Sequence, residues 1–308
     1  MSRYRHPTFV QHLHSGNPLL SFDSPTRVMS LSPLARPARL WPFSRLLITA
    51  LLLLLLQSSV LLAEQVSVRH PEGTTHGFLV LRDEQGKELA EGELTQVVKG
   101  HRLISDLIFH FKDGSVDDET TVYSQRGVFR LLSDHHVQKG PSFPHPMDVF
   151  IDASAGQVTV ISSDNGKKKT ETDHLDFPPD LANGLVQTLL KNISPVTPET
   201  KVAYLATTPK PRLVTLSIKP QEKVTFRVAG RRHRATRYDI KIEIGGIAGV
   251  IAPIVGKQPK DIYISVIGGK APTFVRMEGE LYEGGPVWTV ELSSPVWPKT
   301  QSSKPKGK

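Results

Sequence analysis

Residues 238–244 read YDIKIEI, with Tyr238, Ile240, Ile242 and Ile244 on one side of an extended chain and Asp239, Lys241 and Glu243 on the other. Side chains alternate across a strand, so this run is a strand with one buried and one wetter face. The same period recurs in LIFHF (107–111), MDVFID (147–152), KVTFRV (223–228), VRMEGEL (275–281) and VWTVEL (287–292). Between the runs lie DEQGK, KDGS, SQRG, ASAG, SDNGK and EGG, whose Gly, Asn and Asp supply the positive φ of tight turns. Strands joined this closely leave no room for crossover helices. The pattern predicts an antiparallel meander.

One stretch has a different period. In FPPDLANGLVQTLLKNI (177–193), Leu181, Leu185 and Leu189 recur at helical spacing after two prolines. This predicts an amphipathic helix over 178–192, with Asp180 in its first turn, where a carboxylate suits the dipole. Gly184 falls in its interior, and the Lys/Thr-rich stretch 166–172 before it reads as a loop. The expected architecture is mainly β: a curved antiparallel sheet, half-barrel or barrel-like, with one helix packed on its concave side. Residues 64–295 are expected to form that one domain.

The ends are of another kind. Residues 1–45 form a basic leader rich in Pro and Ser; Met29 would open a more ordinary leader, making 1–28 an extended start. Arg36, Arg39 and Arg45 precede the apolar run LLITALLLLLL, and residues 46–63 read as a signal peptide or a signal anchor. Residues 296–308 are too polar to fold and are expected to be disordered. The chain holds 38 Lys and Arg against 30 Asp and Glu; outside 1–63 the balance is 32 against 29, and without the four tail lysines 28 against 29. The basic excess belongs to the ends, which argues against a nucleic-acid partner. No cysteine is present, so disulfides and thiolate metal sites are excluded.

Few motifs carry chemistry. GGIAGVIAPIVGKQP (245–259) ends in Gly-Lys, but Ile251 stands where a phosphate loop needs its first Gly, and Gln258 where it needs Ser or Thr. It reads as a glycine-rich connection between strands, with a cavity mouth as the other use. His135, His136, His145 and His174, with Asp134 or Asp176, are the candidates for a metal or hydrolytic centre, although neighbouring His135 and His136 would point to opposite faces of a strand. SDHHVQKGPSFPHP itself reads as a loop. GRRHRATRY (230–238) is a basic patch of Arg231, Arg232, Arg234 and Arg237, suited to phosphate or lipid headgroups and equally to a solvated hairpin.

The strands ATRYDIKIE, PKDIYISVIGGKAPTFVRMEGEL and WTVEL, over roughly residues 200–294, resemble the C-terminal strands of a secreted bacterial envelope family of unknown function, loosely similar to lipoprotein-carrier half-barrels. The resemblance implies a curved sheet with an apolar concave face and transfers no catalytic residue. The expected protein is therefore non-enzymatic and exported to the periplasm or cell envelope. It is expected to bind an apolar, lipid-like molecule and to need no cofactor or metal. Leu181, Leu185 and Leu189 of the helix, with Ile247, Val250 and Ile254, are the candidate cavity residues. Membrane contact would run through residues 46–63. The alternatives are a hydrolase or metal enzyme built on the histidines, and an assembly module pairing with another envelope protein.

Overall fold

The structure, a computed structural model, describes residues 65–164, 167–207, 210–228, 231–244 and 259–293. The leader, residues 46–63, the tail, and the glycine segment with Ile247, Val250 and Ile254 lie outside these residues.

The first eight strands are β1 (Thr75–Arg82), β2 (Glu88–Lys99), β3 (Arg102–Phe111), β4 (Val116–Arg126), β5 (Val128–Lys139), β6 (Met147–Asp152), β7 (Gln157–Asp164) and β8 (Lys167–His174). After a long connection come β9 (Thr200–Ala206), β10 (Arg212–Val228), β11 (Arg231–Glu243), β12 (Ile262–Ile267), β13 (Thr273–Gly279) and β14 (Trp288–Leu292). All pair antiparallel in one sheet, ordered β8-β7-β6-β5-β4-β3-β2-β1-β14-β13-β12-β11-β10-β9. The meander is as expected, and β8 and β9 are its unclosed edges. Two parts of the expectation are corrected. Residues 167–174 are a strand rather than a loop, and the histidine stretch through Lys139 belongs to β5.

The sheet curls strongly. The Gln138 side chain on β5 donates to the Leu281 carbonyl at 2.9 Å, and the Thr207 hydroxyl, just past β9, reaches the Met147 sulfur at 3.5 Å. Strands far apart in the order thus touch across the interior. One buried apolar cluster joins Leu103, Tyr123 and Ile151 of one half to Leu205, Ile218 and Ile240 of the other. Alternation along the meander gives the barrel two rims. The lower rim, with the β3–β4 and β5–β6 turns, is filled by Phe111, Phe143, Tyr282 and Trp288, whose ring centroids lie 5.3–6.1 Å apart. The upper rim carries the β2–β3, β4–β5 and β6–β7 turns and the β10–β11 hairpin.

The expected helix over 178–192 is overturned. Only α1 (Val186–Leu190), five residues, is helical. Gly184 has φ +64°, a left-handed conformation that breaks a right-handed helix. The residues before it turn their polar groups to strand β9 instead. Leu181, Leu185 and Leu189 are nonetheless buried, together with Ala182, Leu190 and Ile193. Residues 175–199 are therefore a mostly irregular strap that crosses the interior from one edge of the sheet to the other.

Candidate functional site

The strap is fixed at both ends. The backbone N–H of Ala203 on β9 donates to the Asp180 carboxylate at 2.9 Å, and the N–H of Ala182 donates to the Ala203 carbonyl at 2.9 Å. The Asn183 amide then mimics a peptide group: its Oδ1 accepts from Leu205 N–H at 2.8 Å and its Nδ2 donates to the Leu205 carbonyl at 3.1 Å. An edge strand exposes unpaired backbone groups that template aggregation. Here Asp180, Ala182 and Asn183 cover that edge, so Asp180 serves β9 rather than a helix dipole. At the other end Asn192 Oδ1 accepts from the N–H groups of Arg69 and His70 at 2.8 and 2.7 Å, and the Tyr238 hydroxyl donates to the Ile193 carbonyl at 3.1 Å. Lys191 and Glu72 form a largely buried ion pair at 2.5 Å.

The strap leaves a gap at the upper rim. A cavity of about 150 Å³ lies between Arg130 and Leu131 on β5, Ala153 in the β6–β7 turn, and Phe177, Pro178, Pro179 and Leu181 of the strap. The two prolines build a wall with no backbone donor to satisfy. Arg130 is exposed at the edge and has no carboxylate partner among the described residues. Of the candidate cavity residues, Leu181 lines this space, whereas Leu185 and Leu189 are buried in the core cluster. The cavity is smaller than the roughly 300–1,000 Å³ usual for a whole small ligand, and its wall is about as polar as it is apolar.

Beneath the strap is a polar cluster of which the sequence singled out only His136 and Asp134. Asp117, Glu119 and Thr121 of β4 share the inner face, in register with Gln138, His136 and Asp134 of β5. Asp117 Oδ1 lies 2.6 Å from His136 Nε2, and the Thr121 hydroxyl donates to Asp134 at 2.8 Å. Burial and the charge of Asp134 push Glu119 up to about 8, with His136 opposing. Burial alone would lower His136, but the Asp117 hydrogen bond and the charges of Glu119, Asp117 and Asp134 prevail and raise it to about 9. Burial also raises Asp134 and the Tyr204 phenol, which faces the cluster from β9. Gly184 rests directly on this floor. A Cβ added there would lie 1.9 Å from Thr121 Oγ1 and 2.7 Å from Asp134 Oδ1. Three polar residues at alternate positions in VDDETTVYSQR, where an inner face should be apolar, were the available signal.

The histidine candidates are dispersed. His135 and His136 point to opposite faces, His135 pairing with Asp148 at 3.0 Å on the outside. His174 ends β8 opposite Gln157, and His145 sits in the β5–β6 turn. Among the described residues no three His, Asp or Glu are placed to hold a metal ion.

No protein-family model matches the chain. No curated protein matches it. Among solved structures it is similar to the crystal structure of a beta-barrel-like protein of a domain of unknown function, DUF1849, from Brucella abortus. The alignment has 10% identity, covers 74% of this chain and 100% of that one, and gives a TM-score of 0.43.

Proposed function

We propose that the protein is a non-enzymatic exported component of the bacterial cell envelope that holds an apolar, lipid-like ligand by one end of its chain. The observation that carries this reading is the cavity at the upper rim: a pocket walled by Leu131, Ala153, Phe177 and the strap prolines, about as polar as it is apolar, with the Arg130 guanidinium, unpaired among the described residues, at its edge. The aromatic seal at the lower rim leaves the upper rim as the entrance. The leader sequence supports export. Arg130 at the edge suits an anionic head group such as a carboxylate or phosphate, because a guanidinium binds such groups through paired hydrogen bonds. Titration with a fluorescent fatty acid tests this. Ala153 is only partly buried, so Ala153→Trp fills the space from the rim without entering the core. The expected result is saturable binding by the wild-type protein and affinity lowered about tenfold or more in Ala153→Trp, a loss of at least ~1.4 kcal/mol, with unchanged melting. Equal binding by the two proteins would sink the assignment.

A further inference from the structure

Strands β10 and β11 run well beyond the rest of the sheet. β10 pairs with β9 only over Arg212–Ile218, and β11 pairs with β12 only over Thr236–Ile240. Beyond Thr236 the two strands pair only with each other, from Val224↔Ala235 to Val228↔Arg231. The result is a two-stranded arm projecting from the upper rim. Its residues 223–234 contain Lys223, Arg227, Arg231, Arg232 and Arg234 and no acidic residue. All five cations are exposed, and none is paired with a carboxylate among the described residues. Arg227 and Arg232 stand directly opposite each other in the register. Like charges at that position destabilise a strand pair, so an arm that keeps them is suited to an anion shared between them. On the arm's other face Phe226 stacks on His233 with ring centroids 5.7 Å apart.

We infer that this arm docks on an anionic phospholipid surface, its arginines contacting headgroup phosphates. Basic clusters beside a membrane gain about fivefold in affinity for acidic lipids with each Lys or Arg. Position selects a bilayer over a soluble polyanion. Ser67 bridges Val128, so the chain enters the described region at this same rim, a few residues after its apolar run. The near-neutral charge of the body also disfavours nucleic acid, which needs a broad basic face. The inference goes beyond the ligand reading and stands without it.

The chain has no cysteine, so Thr225→Cys on the arm and Lys87→Cys on the lower rim each accept a single environment-sensitive dye. The labelled full-length chains are placed with phosphatidylcholine vesicles that contain or lack phosphatidylglycerol. The expected result is a blue shift at position 225 on the acidic vesicles alone. That shift weakens with added salt, falls about a hundredfold in midpoint affinity in Arg227→Gln/Arg232→Gln/Arg234→Gln, and has no counterpart at position 87. The same triple variant keeps its fatty-acid affinity, which separates this inference from the ligand reading. A response that is equal on neutral vesicles, survives the triple substitution, or appears with duplex DNA instead of vesicles would overturn the inference.

Discussion

Gly184 illustrates how one position distinguishes two folds. Were it inside a helix, replacement by Ala would stabilise the protein by about 1 kcal/mol. In the strap it has φ +64° and its Cα faces the Thr121–Asp134 pair. A left-handed alanine costs roughly 1–2 kcal/mol, and forcing a methyl into a packed interior costs about 1–3 more. Gly184→Ala is therefore expected to lower unfolding stability by about 2–5 kcal/mol, read as a lower urea midpoint at unchanged slope. A stabilised variant would restore the helix and contradict the strap. The sequence-based error has a clear origin: Leu181, Leu185 and Leu189 have helical spacing because the strap buries them, whereas the hydrogen bonds of Asp180 and Asn183 go to Ala203 and Leu205, some twenty residues on. A period reports which side chains are buried; it does not report the partners of the backbone.

At the scale of elements, the β4–β5 pair carries a charge arrangement that ties stability to pH. Glu119 is raised from 4.5 to about 8, so the fold favours its neutral form; that contribution is complete below pH 4.5 and is lost as pH rises through about 8. His136 is raised from 6.5 to about 9, so the fold favours its charged form, a contribution lost as pH rises through about 9. Both effects have the same sign, and stability should fall on the alkaline side, most steeply between pH 6.5 and 8, where both groups contribute. Glu119→Gln keeps the neutral shape and cannot ionise. Denaturation midpoints followed from pH 5 to 9.5 are expected to match wild type at the acid end and exceed it at the alkaline end. Parallel curves for the two proteins would show that Glu119 is not held neutral. The strands themselves were legible: MDVFID coincides with β6, and LIFHF buries Phe109 and Phe111 while exposing His110. The cluster was not, because its members come together only through the β4–β5 register, and the Gly and Pro residues of QKGPSFPHP made the histidine strand look like loop.

For the whole molecule, the curled sheet assigns its two rims different work. Aromatic side chains fill the lower rim, whereas the upper rim gathers the cavity, the strap entrance and the cationic arm. A mainly β, curved antiparallel architecture could be read from alternation and turn residues alone. The unclosed edges could not, since they depend on a strap whose side chains replace a strand partner at β9. The arm was half visible: its arginines stood out in GRRHRATRY, but their projection beyond the sheet follows from where β9 and β12 stop pairing. The central claim is that the upper-rim cavity holds one end of an apolar chain, and native mass spectrometry of the protein recovered from cell envelopes tests it most directly. The account predicts a bound species of lipid-like mass at one per chain, depleted in Ala153→Trp. A wild-type protein that carries no such species, and acquires none when incubated with fatty acids, would contradict it.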